Sequence, residues 1–124
     1  MTVTAGYLLA ALLAAAIVFI GARFLIAPDI AAAGYGVPAD TLSEMRAYLS
    51  VKGIRDIATG LFVAILLLGH ATHLVGWVMV AATLIPIADA AIVLRHGGSK
   101  SIAYGVHGGT AAVMLITTAL LLIG

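Results

Sequence analysis

Four long apolar stretches, separated by short polar breaks, make up this chain. The first runs from about Ala5 to Ile26 and is rich in Leu and Ala, with Ala10/Ala14 and Ala11/Ala15 at the small-xxx-small spacing that lets helices approach closely. Pro28 is expected to stop it, and residues 28–40, with Gly34, Gly36 and Pro38, read as a loop. Thr41 and Glu44 have the form of a capping box, so the second helix is expected from Leu42 to about Gly69. A tight turn containing His70 and His73 leads to the third stretch, from Leu74 to about Leu94, which contains Pro86 and Asp89. Proline is tolerated inside membrane helices where neighbours satisfy the freed carbonyl. A second tight connection, Arg95 to Lys100, leads to the last stretch, Ile102 to Ile123. The pattern predicts an all-α membrane protein, a single domain over residues 1–124 with four transmembrane helices in one bundle.

The second stretch breaks the apolar pattern. Its uncharged part, Ile57 to Gly69, covers only about 20 Å as a helix, against a bilayer core of about 30 Å. Spanning would therefore draw Lys52, Arg55 and Asp56 into the membrane edge. With Thr59 they fall at i, i+3, i+4 and i+7, on one helix face. Charges at that depth usually face the bundle interior.

Composition agrees with a membrane protein: 124 residues, 64% hydrophobic and 9% charged, with a mean hydropathy of +1.23. A net charge of +1 and the lack of a basic run give no reason to expect a nucleic-acid partner. Without cysteines, disulfides and thiolate metal sites are excluded. The first stretch lacks a basic n-region and reads as a retained span, not as a signal peptide. Arg23, Arg46, Lys52, Arg55, Arg95 and Lys100 all fall on the side of the 1–2 and 3–4 connections. The positive-inside rule then expects both termini outside the cytoplasm, in a bacterial cytoplasmic membrane.

Measured from the uncharged side, Asp56 lies about 20 Å in, Asp89 about 22 Å, His107 about 24 Å and Arg23 about 27 Å. Four helices thus deliver ionisable groups to one layer near the cytoplasmic edge. One explanation is a set of ion pairs that holds the bundle in register. The other is a water-accessible pocket, because ionisable groups at membrane depth mark function by default. Asp89, with no other ionisable group in its helix before Arg95, is the candidate general acid. Asp56 is the candidate base, held ionised by Arg55, and His107 and Tyr104 are candidate proton relays. Arg23, Lys52, Arg55, Tyr104, Arg95 and His96 complete the expected charge network and substrate contacts. His70 and His73 sit on the opposite side and read as a solvated turn. No HExxH-like spacing is present, so no metal or other cofactor is expected. The Gly97-Gly98 and Gly108-Gly109 pairs lack the strand and Lys-Ser/Thr of a nucleotide loop. Tyr-Gly-Val recurs at 35–37 and 104–106, but nothing else repeats and it reads as coincidence.

Several local sequences point to one family: Arg23-Phe24 with Pro28, Gly36-Val37-Pro38, Lys52-Gly53-Ile54-Arg55-Asp56 with Gly60, Ile85-Pro86 with Asp89, His96-Gly97-Gly98, and His107-Gly108. With these the chain resembles a family of small bacterial and fungal four-helix membrane proteins grouped as a domain of unknown function. The resemblance covers nearly the whole chain and implies its fold; some relatives are associated with epoxide opening in polyketide pathways. The architecture is also similar to DoxX-like proteins, which are linked to redox and membrane-stress complexes. The expected function is a membrane-embedded enzyme acting by carboxylate acid–base chemistry on a lipophilic small molecule, as an epoxide hydrolase, cyclase or isomerase. The alternatives are a small proton-coupled transporter or a non-catalytic DoxX-like subunit. The expected partners are that small molecule, membrane lipids and, through the small-residue faces, further copies of the chain.

Overall fold

The computed structural model of the chain describes residues 1–36 and 42–123, with residues 42–47 described by backbone alone. The capping box at Thr41 and Glu44 therefore lies outside the described side chains. The helices are α1 (Thr2–Ile26), α2 (Pro28–Tyr35), α3 (Leu42–Leu68), α4 (Thr72–Ala82), α5 (Leu84–Arg95), a π-helix π1 (Ile102–Gly108) and α6 (Gly109–Ile123). No strand occurs among the described residues. Three helical runs, Thr2–Ile26, Thr72–Arg95 and Ile102–Ile123, are long and apolar enough to cross a membrane. The fourth long helix, α3, is interrupted in that respect by Lys52, Arg55 and Asp56.

Residues 28–35 correct the expected loop. Pro28 does not simply end α1; it opens α2 as its first residue, where a missing N–H costs nothing and the fixed φ suits a helix. Between the two helices Ala27 leaves helical geometry, at φ −135° and ψ 67°. Gly36 ends α2 in the left-handed region, at φ 100°, with Ile102 packed where a side chain would project. The Gly97–Gly98 turn closes on the same point, since a Cβ on Gly98 would collide with the Gly36 carbonyl. Thus α2 is tied down at both ends.

The α1–α3 contact is built on backbone. A Cβ on Gly53 would lie 2.6 Å from the Gly21 oxygen, and one on Gly60 would lie 2.7 Å from the Ala14 oxygen. Small residues permit this approach, the usual source of helix affinity where lipid supplies no hydrophobic drive. Ala10 and Ala14 are buried as expected of a packing stripe, which Gly6 and Gly21 extend. Ala11 is only partly buried and Ala15 faces outward. At the far end Leu67, Val75, Met79 and Leu121 close the core.

The α4–α5 run breaks at Thr83, three residues before Pro86. There the Thr83 hydroxyl donates to the Met79 carbonyl at 2.6 Å. Beyond this break α5 packs on π1, whereas α3 packs on α1 and α2; α5 shares no extended interface with α1 or α3. The bundle is therefore closed at one end and parted at the other.

Candidate functional site

The parted end opens into a cavity of about 300 Å³ lined by residues of all six α-helices and of π1. Its wall is chiefly apolar, and Arg23, Tyr35, Lys52, Asp89 and His107 gather at one end.

On α3, at about 100° per residue, Lys52, Asp56, Thr59 and Val63 fall within an arc of roughly 60° that faces the cavity. The Lys52 ammonium donates to Asp56 Oδ2 at 2.7 Å and lies over two rings, 4.5 Å from the centroid of Phe24 and 5.0 Å from that of Tyr35. A cation so placed gains from both ring quadrupoles as well as from the carboxylate. Arg55 lies beyond the arc, on the side away from Gly53 and Gly60, and is exposed. The glycine contacts with α1 set the rotation of α3, and that rotation turns Arg55 outward. Lys52, not Arg55, is therefore the partner of Asp56.

His107 is buried, 7% exposed, although Tyr104 three residues before it is 66% exposed. The π turn separates them: it is wider than an α turn, so positions three apart no longer share a face. This removes Tyr104 from the site and turns His107 inward. His107 Nε2 donates to the Tyr35 carbonyl at 2.9 Å, and the two rings meet edge-on with centroids 4.7 Å apart. Its other nitrogen, Nδ1, faces Asp89 Oδ2 at 3.9 Å.

Tyr35 is the residue that sequence reasoning missed. Its phenol donates to the Asp89 carboxylate, and burial, that hydrogen bond and the charges of Asp89 and Asp56 push the phenol well above its ordinary value. At neutral pH it is a donor and never a phenolate. One residue of α2 thus bridges the two halves of the cavity, with its ring under Lys52, its hydroxyl on Asp89 and its carbonyl on His107. The only sequence signal was the Tyr-Gly-Val repeat, which carries no mechanism for such a clasp.

Of the expected site residues, Arg23, Lys52, Asp89 and His107 line the cavity and Asp56 stands behind Lys52. Arg55, Tyr104, Arg95 and His96 are exposed and outside it. His96 Nδ1 instead donates to the Ile92 carbonyl of its own helix at 2.9 Å. The expected network of Arg23, Arg55, Asp56 and Asp89 divides into two clusters, Lys52–Asp56 and Asp89–His107–Tyr35. Among the described residues neither carboxylate is paired with an arginine. Asp89 also does not lack a base nearby, because His107 on the following helix faces it.

Fold and site together define a helical membrane protein whose bundle parts around an ionisable cavity. The chain belongs to the family DUF4267, a domain of unknown function, whose pattern matches residues 14–121. Curated proteins and solved structures contain no match.

Proposed function

We propose that this protein is a membrane-embedded enzyme that performs acid–base chemistry on a lipophilic small molecule, with the Asp89–His107 pair as its proton-transfer device. One observation carries the reading: two ionisable groups from different helices meet at the polar end of an otherwise apolar cavity. A carbonyl only accepts, so the Nε2 that meets the Tyr35 carbonyl carries a hydrogen. In neutral imidazole Nδ1 is then a lone pair, aimed at a carboxylate. At 3.9 Å the two groups are within ion-pair range, and the proposed device holds one proton in the pair, either as carboxylic acid or as imidazolium. Such a pair has one proton to give and one basic site left to receive another.

For an epoxide, the substrate class that the family resemblance suggests, the balance closes. A proton from the pair goes to the epoxide oxygen as its C–O bond breaks. Water forms the new C–O bond and returns a proton to the pair, giving a diol. The Tyr35 hydroxyl orients Asp89, and Asp56 acts through Lys52 instead of as the base itself. The test is purified protein in nanodiscs with 1,2-epoxydecane in ¹⁸O-water. Labelled diol above the rate of protein-free nanodiscs is expected, and a rate equal to that background removes the hydrolase reading.

The proposal includes α3 as a fourth span, with its charged first half at the cytoplasmic edge and both termini outside. The positive-inside bias supports this arrangement. A reporter active only in the cytoplasm, fused after Gly124, is expected to be silent; activity there refutes the orientation. A proton-coupled transporter fits less well, since such sites lie near the midplane and these groups gather at one end of the bundle.

A further inference from the structure

We infer that the cavity takes a single-chain carboxylic acid, which enters sideways from the bilayer between α1 and α5 and sets its carboxylate on Arg23. The inference rests on the proposed reaction site and names the substrate class for it.

Charge comes first. Lys52 is answered by Asp56 at 2.7 Å, and in the proposed reaction site the Asp89–His107 pair holds one proton and so adds no net charge. Arg23 remains: it lines the cavity and has no ion-pair partner among the described residues. Among the described residues the cavity therefore carries one positive charge without a counter-charge, which a monoanion neutralises. A guanidinium receives a carboxylate through two parallel hydrogen bonds, a geometry that an ammonium lacks.

Shape points the same way. Ile20 on α1 and Ile85 on α5 both line the cavity, yet they are 40% and 51% exposed, on helices that share no extended interface. They flank an opening that faces sideways, along the span-length part of both helices, and Arg23 is one turn from Ile20 on the same face of α1. Inward from Arg23, residues Ile20, Ile17 and Leu13 continue the cavity wall for about 15 Å along α1. Val63, Met79 and Met114 line its apolar wall. The volume of about 300 Å³ suits on the order of ten methylene-sized groups, if each takes about the 30 Å³ of a water molecule. A headgroup at the mouth and a tail of that size inside describe a medium-chain acid, not a two-chain lipid.

Radiolabelled decanoate supplies the test, by equilibrium dialysis against full-length protein in phosphatidylcholine nanodiscs, with protein-free nanodiscs subtracted. Saturable binding of about one decanoate per chain is expected, and tighter binding of decanoate than of 1-decanol. Arg23→Gln should weaken decanoate at least tenfold and leave decanol unchanged, which also reports an intact cavity; Arg23→Lys should fall between. Wild-type protein that binds decanoate but forms no diol from 1,2-epoxydecane keeps the binding site and loses only the reaction, so the two failures are told apart. Decanoate bound equally by wild type and Arg23→Gln would make Arg23 a headgroup anchor and overturn the inference. So would decanol matching decanoate, decyl phosphate binding more tightly than decanoate, or no saturable decanoate binding at all.

Discussion

Asp89→Asn is expected to melt within a few degrees of the wild type and to lose turnover of 1,2-epoxydecane by about a hundredfold or more, the usual contribution of a positioned general acid. Stability should survive because asparagine meets both partners of Asp89. Its carbonyl accepts from the Tyr35 hydroxyl, and its amide faces His107 Nδ1, the lone pair left when Nε2 donates to the Tyr35 carbonyl. What disappears is the shared proton. Were Asp89 the ionised half of a buried arginine pair, its loss would cost roughly 3–5 kcal/mol. Among the described residues it has no arginine partner. The measurements are melting temperature in detergent beside diol formation. Destabilisation by several kcal/mol, or a stable variant with full turnover, takes Asp89 out of the proton-transfer role.

How far the sequence foretold the site depends on which coordinate is asked about. Depth along a helix is a count of residues, and the layer holding Arg23, Asp56, Asp89 and His107 could be read that way. Rotation about the axis is set by packing. The close contacts of Gly53 and Gly60 with α1 decide that Lys52 faces the cavity and Arg55 does not, although both lie on what one helix face would allow. Glycine pairs can be seen in a sequence, but the helix that each one meets cannot.

Two further misreadings have the same source. Tyr104 and His107 share a face only if their helix is regular, and the π turn over Ile102–Gly108 is a local departure with no residue signature beyond Gly108-Gly109. Such turns recur at functional sites, where they redirect one side chain. Residues 28–35 show the opposite error: Pro28 reads equally as the end of one helix or the first residue of the next. The reading as a loop hid Tyr35, a side chain that touches both charged clusters. Residues that act at helix ends and turns are placed by long-range contacts, and Tyr35 meets a partner 72 positions away.

The Lys52–Asp56 pair separates scaffold from chemistry most sharply. Asp56→Asn should cost about 1–3 kcal/mol, because it leaves an ammonium over two aromatic rings without its counter-charge. That is less than the 3–5 kcal/mol typical of a fully buried pair, since the Lys52 side chain is 30% exposed and water shares the loss. Lys52→Met should cost a similar amount by stranding Asp56, while its thioether keeps contact with the rings. The double variant Lys52→Met/Asp56→Leu removes both charges together and should recover most of that stability, as buried pairs exchanged for apolar groups usually do. Turnover then decides the role of Asp56. If it only holds Lys52 in place, the double variant should retain activity within about tenfold of the wild type. If Asp56 is the base that activates water, the double variant should fold and be inactive by a hundredfold or more. The expected result is the first, because Lys52 stands between Asp56 and the cavity, whereas Asp89 and His107 face it directly. A stable double variant without turnover would return the base to Asp56 and leave the Asp89–His107 pair as the acid alone.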